Sequence, residues 1–222
     1  MTTGAEEPRR VQMLTAALEV VVERGFAETR ISDVAVRAGV SPALVIYYFK
    51  TKDNLLADAM RWSEDAWYAE MAARTSALPT GAARLEEVVS MSCLPGTSGP
   101  TEESWAVWLD LWAQALRNPV VRAVREEFDE HFRQTIRDIV RFGQERGEFA
   151  AVDGDDFAVG FSAVLDGLAI QIALGDPVVD AHRAFTLAMH LAAQQLGFDW
   201  ESPRKGGGRR GKARSVARSV AR

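Results

Sequence analysis

Two groups of residues in this chain have types and spacings suited to chemistry. Tyr47, Tyr48, Lys50 and Lys52 stand within six residues of one another. Two phenols and two ammonium groups this close can meet a phosphate backbone, the hydroxyls by hydrogen bonding and the charges by displacing counterions. Trp105, Trp108 and Trp112 follow an i, i+3, i+7 spacing in ESWAVWLDLWAQALRNP, so they share one face of a helix. Asp166 lies among apolar neighbours in AVLDGLAIQ, where an unpaired carboxylate is costly. An aromatic face with a carboxylate suits a quaternary ammonium or a polyamine, through cation–π attraction. Tryptophans at this spacing also suit a packed core, and Asp166 can equally pair with Arg122, Arg125 or Arg133.

No other set of residues has catalytic or metal-binding spacing. His131, His182 and His190 are scattered, and the single thiol, Cys93, adjoins the Pro/Gly-rich stretch CLPGTSGPTEE, which reads as a flexible loop. There is no HxxxH or CxxC pair and no GxGxxG. KGGGRRGK lacks the eight-residue arrangement of a phosphate-binding P-loop. Neither an enzyme nor a metal or cofactor is expected.

The tyrosine–lysine group needs a short helix to carry it. Ser41 is placed to cap one, with Pro42 at its first position. Upstream, Thr29 is placed to cap another, with Ile31, Val34 and Ala35 facing inward and Gly39 ending it. Two short helices about the turn Ala38-Gly39-Val40-Ser41 make a helix-turn-helix, whose second helix enters a DNA major groove. Before them, Val11, Leu14, Leu18, Val21 and Val22 mark one stripe of a helix that Pro8 opens and Gly25 stops. After them, Lys52 or Asp53 begins a longer helix running towards Arg74. Helical patterns also cover 82–91, 101–116, 119–146, 153–174 and 177–196, and no period-two alternation marks a strand. The fold class is all-α.

The 222 residues are 47% hydrophobic and 26% charged, the composition of a folded soluble chain and not of a disordered one. One cysteine permits no internal disulfide, and MTTGAEEPRR has no secretory apolar core, so a reducing cytoplasm is expected. No uninterrupted apolar run approaches the length of a membrane span, and no membrane partner is expected. The net charge of −5 hides an asymmetry. The last twenty residues carry eight Lys and Arg and no acid, so an acidic body precedes a basic tail, 201–222, that is Gly/Arg/Ser-rich and reads as disordered. Within the body, residues 29–52 are locally basic, with Arg30, Arg37, Lys50 and Lys52 against Asp33 alone.

TRISDVAVRAGVSPALVIYYFKTKDNLL, residues 29–56, resembles the DNA-binding domain of the TetR family of transcriptional regulators. The Gly25-Phe26 pair, the alanine-rich second helix, AGVS, YYF and the K-D-x-L-L opening of the fourth helix occur in the family's order, and the resemblance spans residues 8–67. It departs at Ala43, where the family often has Gly, at Ile46, where it often has Tyr, and at Lys50, in place of the usual Pro or Gly. Ile46 is expected to face inward, Phe49 to lie in the core and Arg37 to be a solvated surface charge. The resemblance implies an N-terminal three-helix helix-turn-helix DNA-binding domain over 8–67 and a C-terminal helical ligand-binding and dimerisation domain over 68–200. It implies DNA contact by Thr29, Arg30, Ser41, Pro42, Ala43, Leu44, Tyr47, Tyr48, Lys50 and Lys52. The body from Trp105 to Leu196 is similar to the BetI-like branch, whose founding member responds to choline. That implies a small-molecule effector, of cationic type if Trp105, Trp108, Trp112 and Asp166 form its site.

The last two helices are apolar over wide faces, one marked by Phe157, Phe161, Val164, Leu165 and Leu168, the other by Phe185, Met189 and Leu196. Such faces need cover, from the chain's own body or, as in the family, from a second chain in a four-helix bundle. The dimer is expected, and a two-fold protein reads a palindromic operator. The expected function is a ligand-responsive DNA-binding regulator, a repressor released by an inducer. An activator of the same fold and a helical sensor acting through a protein partner are the alternatives. The tail suits a nonspecific DNA anchor, a contact for an acidic partner, or an unselected extension.

Overall fold

The computed structural model describes residues 6–95 and 102–201. Among them run nine α-helices and no strand. A head is formed by α1 (Glu6–Glu28), α2 (Ile31–Arg37) and α3 (Pro42–Phe49), and α4 (Lys52–Ser76) leaves it as a long strut. The body comprises α5 (Gly81–Cys93), α6 (Glu102–Ala115), α7 (Pro119–Glu145), α8 (Gly154–Ala173) and α9 (Ala181–Leu196). The basic tail beyond Glu201 and the centre of the loop before α6 lie outside the described residues.

The helix starts follow from side chains that accept otherwise unpaired N–H groups. Ser41, Thr51, Thr80, Asn118, Asp153 and Asp180 cap α3, α4, α5, α7, α8 and α9 in turn. The last of these explains a difference from the sequence pattern. Asp176 first accepts from the N–H groups of Val178 and Val179 in a turn of its own, so α9 starts at Ala181 and not at Pro177. Gly25 kinks α1 without ending it, with φ +78° and ψ 167°, and helical residues continue to Glu28. Cys93 is not in the loop: it closes α5, buried, and burial pushes its thiol up to about 12, which leaves it chemically quiet.

Two apolar cores hold the chain. The first joins α1, α2, α3 and the first half of α4, and it also takes in Val107, Leu111 and Ala115 of α6 and Val121, Val124 and Phe128 of α7. The second packs Tyr68 and Met71 of α4 with α5, the later part of α7, α8 and α9. The helices of the body therefore supply part of the head's own core, and α6 cannot shift without disturbing it.

The apolar faces of α8 and α9 require a correction. Phe157, Phe161, Leu165, Leu168, Phe185, Met189 and Leu196 are all buried within the single chain, Phe161 to 1% exposure. Val164 is half-buried against the same core. Helices α5 and α7 cover these side chains, so they are not available to a second chain. The open sides of the two helices carry Val159, Gly160 and Ala163 on α8, with Leu174 just past its end, and Leu187 on α9. By length and composition alone α8 can cross a membrane, with a mean hydropathy of 1.4, but its phenylalanines and leucines are core residues here.

Candidate functional site

Helix α3 turns one face outward. Ser41, Pro42, Ala43, Ile46, Tyr47 and Lys50 are exposed, Tyr47 by 65%, while Val45 and Phe49 are buried. Leu44 and Tyr48 are half-buried, and Tyr48 rests on the head's core with its ring 5.5 Å from that of Tyr47. Ile46, expected inside, is 47% exposed. Val45 and Phe49 set the inward stripe at i, i+4, which turns Ile46 out beside Tyr47. Ser41 Oγ accepts the Leu44 N–H at 3.2 Å, which leaves the hydroxyl proton free to donate.

Lys50 and Thr51 join α3 to α4, and Lys50 makes the turn. Its φ is +67° and ψ −49°, and Thr51 N–H donates across it to Phe49 O at 2.8 Å, a γ-turn with positive φ. Its ammonium donates to Tyr47 O at 2.7 Å and lies 5.1 Å from the Tyr47 ring centre, so tyrosine and charge form one unit on the outer face.

Two expected contact residues are engaged elsewhere. Thr29 does not cap α2; Arg30 holds that position without a side-chain bond. Thr29 is 1% exposed and gives both its hydroxyl, at 2.7 Å, and its N–H, at 3.2 Å, to Gly25 O. It has no donor left for a phosphate. Lys52, a cation at a helix N-terminus, is answered by carbonyls and not by an anion: its ammonium donates to Phe26 O at 3.1 Å and Ala27 O at 3.0 Å, in the last turn of α1. Arg37 is held by Glu19 and Glu23 at 3.0 and 2.7 Å, and Arg30 is exposed.

The tryptophans stand on the wall of a cavity of about 340 Å³ lined by α1, α4, α5, α6, α7 and α8. Trp105, Trp108 and Trp112 are half-buried there, Trp108 edge-on to Phe128 at 5.7 Å. Asp166 faces the same space and makes no ion pair among the described residues. The arginines that suit it go elsewhere: Arg125 and Arg133 reach Asp129 at 2.6 and 3.7 Å, and Arg122 donates to the carbonyls of Ala115 and Leu116. Burial pushes Asp166 up to about 6, helped by the charge of Asp129.

Sequence reasoning missed the contribution of α4. Glu64, Trp67 and Tyr68 line the cavity at i, i+3, i+4. Burial pushes Glu64 up to about 7, with the neighbouring Asp65 adding to it. Burial also holds the Tyr68 phenol far above its usual value, and the hydroxyl donates to Phe128 O at 3.2 Å. The signal was present: Met60, Glu64 and Met71 lie on one helix stripe, and an acid on an apolar stripe is costly without a reason.

Two hydrogen bonds tie this cavity to the head. Asp110, on the side of α6 away from its tryptophans, accepts the Phe26 N–H at the kink of α1, at 2.5 Å. Asn118, the cap of α7, donates from Nδ2 to Asp53 in the first turn of α4, at 2.9 Å.

Residues 13–59 match the family model of bacterial regulatory proteins, tetR family, and residues 81–197 match that of the BetI-type transcriptional repressor, C-terminal. The HTH-type transcriptional regulator BetI of Escherichia coli (strain K12) is 30% identical over 201 residues, which are 88% of this chain and 98% of that protein. The chain belongs to the TetR family. A candidate transcriptional regulator from Saccharomonospora viridis, solved in complex with choline, matches this TetR-family chain with a TM-score of 0.73 and 27% identity, over 85% of this chain and 96% of that one. A candidate TetR-family regulator from Rhodococcus sp. has the same fold, with a TM-score of 0.74 at 23% identity over 85% and 98% of the two chains. As a TetR-family member with BetI-type homology over most of its length, the chain is a transcriptional regulator and not an enzyme.

Proposed function

We propose that this TetR-family chain is a cytoplasmic, homodimeric repressor that a small cation releases from a palindromic operator. The observation that carries it is the two-sidedness of α6. One side lines the cavity with Trp105, Trp108 and Trp112, and the other grips the head through Asp110. A ligand that binds better to one setting of α6 than to another biases the head by that difference in affinity.

DNA contact falls to the outer face of α3: Ser41, Ala43, Tyr47, Tyr48 and Lys50, flanked by Arg30, Pro42 and Leu44. Thr29 and Lys52 hold α1, α2 and α4 in register behind it. The effector class follows from the aromatic wall and its carboxylates, which favour a cation with little hydration such as a quaternary ammonium. The choline bound by the Saccharomonospora viridis protein supports that class.

The dimer uses the open sides of α8 and α9. A Cβ added at Gly160 or Gly167 meets nothing within 4 Å, so this stripe admits a close approach by a second helix pair. Gly160→Arg places a charge there, and sedimentation velocity should then show a monomer; an intact dimer moves the interface elsewhere.

The function is tested by fluorescence anisotropy of the full chain on the DNA upstream of its own gene and on a scrambled control, across a salt series, with and without choline chloride. Tight binding to the native sequence alone, weakened by choline, is expected. Equal binding to both DNAs would sink the operator reading, and binding indifferent to choline would sink the effector class.

A further inference from the structure

The cavity wall carries two carboxylates without an ion-pair partner among the described residues, and their surroundings differ. Asp166 of α8 already sits in the field of two guanidinium groups: Arg125 and Arg133 of α7, although bonded to Asp129, both favour its charged form. Glu64 has no such help. The charge that acts on it is that of exposed Asp65, of like sign. The same wall carries the apolar Leu18 and Val22 of α1 and the tryptophans and Val107 of α6. The other titratable groups on this wall are the neutral Tyr68, with His131 stacked on its ring at 3.6 Å, and the Asp129–Arg133 pair.

We infer that Glu64, and not Asp166, receives the positive charge of the effector. This rests on the reading of the cavity as a cation site. An incoming cation gains most where a desolvated carboxylate has no countercharge, and gains less where arginines already supply one. Trp67, one turn along α4, lines the same wall and supplies an aromatic ring on the helix that carries Glu64. The cluster is also balanced by a single added charge: Glu64, Asp129 and Asp166 face Arg125 and Arg133, leaving one carboxylate uncompensated.

The assignment places the ligand on the strut that enters the head. Helix α4 begins at Lys52 and Asp53, which hold the end of α1 and the cap of α7. A charge seated on Glu64 therefore acts on the same rigid element that positions α3.

It also sets a pH dependence. A carboxyl that titrates at about 7 is half protonated at neutrality, and the protonated form cannot pair with a cation. Cation affinity should rise with pH through that point and fall by up to about tenfold per pH unit below it.

The test is calorimetric titration of choline chloride into the full-length wild type, Glu64→Gln and Asp166→Asn, from about pH 6 to about pH 8, with circular dichroism confirming that each variant is folded. Glu64→Gln should lose at least about tenfold in affinity at the upper pH and show a flat profile, whereas Asp166→Asn should lose about threefold or less and keep the slope. Glu64→Gln binding as tightly as wild type, with the slope retained, overturns the assignment and leaves the cation site standing. The same holds if Asp166→Asn is the variant that abolishes binding. Absence of binding by wild type at the upper pH overturns the cation reading and this assignment with it.

Discussion

Asp110 Oδ2 accepts the Phe26 N–H at 2.5 Å across 84 positions of sequence, and this bond joins the cavity helix to the head. It exists because Gly25 leaves the helical path, which frees the next N–H to point at α6. A Cβ at Gly25 would lie 2.9 Å from the same carboxylate oxygen, and the φ of +78° disfavours any L side chain. Only glycine admits this contact without a shift.

Removing the carboxylate should loosen both the fold and the coupling. Asp110→Ala leaves a half-buried N–H without its charged acceptor, at a cost of about 1–3 kcal/mol in stability. Thermal melting should show that loss, and anisotropy should show DNA binding that choline no longer weakens. Asp110→Asn keeps an acceptor and should recover most of both. A variant as stable and as responsive as wild type would remove Asp110 from the mechanism.

Tyr47 and Thr29 should separate reading from bracing. Tyr47→Ala removes an exposed side chain and should lower operator affinity by roughly tenfold, about 1.4 kcal/mol, with an unchanged melting temperature. Thr29→Val removes the hydroxyl bond to Gly25 O and leaves only the N–H bond. It should cost about 1 kcal/mol of stability while the salt dependence of DNA binding stays the same. The reverse pattern, in anisotropy and melting curves, would return Thr29 to the DNA surface.

Lys50 combines a useful charge with a strained backbone. Lys50→Gly should stabilise the head by about 1 kcal/mol, since glycine accepts a φ of +67° freely. The same change removes one cation from the outer face, so the log–log salt slope of DNA binding should flatten by about 1. A melting temperature that falls instead would show that the Lys50–Tyr47 contact outweighs the strain.

Stability of the ligand-free protein should depend on pH through Glu64 and Asp166. Both are raised by burial, Glu64 from 4.5 to about 7 and Asp166 from 3.8 to about 6. Between the unfolded and folded values the native state holds more protons, so these groups make stability decline as pH rises from about 4 to about 7. Glu64→Gln should abolish much of that decline and raise the melting temperature more at about pH 8 than at about pH 5. An equal gain at both would mean that Glu64 titrates near its ordinary value.

Much of the architecture was legible because it is written in local signals. Ser41, Thr51, Thr80, Asn118 and Asp153 mark helix starts through bonds two or three residues long, and Pro42 and Pro119 fit first turns. Asp180 is not legible in this way, because the apolar pattern and Pro177 point to an earlier start. The grouping of Tyr47 with Lys50 was legible from their closeness in the chain, while their contact depends on the turn that Lys50 makes beyond the end of α3. Where the local pattern was outweighed, a longer contact decided. Thr29 has a capping residue's chemistry but turns back to Gly25, and Ile46 has a core residue's chemistry but faces out because Val45 and Phe49 claim the inside.

The sequence by itself determined an all-helical chain, its order of helices, and the presence of an aromatic and a basic group suited to DNA. Periodicity and capping depend on neighbours in the chain, and those neighbours are visible in it. Only the tertiary structure decided that the phenylalanines of α8 and α9 are covered by α5 and α7, that Lys52 caps α1, and that Glu64 joins Asp166 and the tryptophans around one cavity. An apolar face states that it must be covered but not by what, and a carboxylate does not carry its distance from an arginine on another helix. Those facts arise where helices from distant parts of the chain meet, so they exist only once the chain has folded.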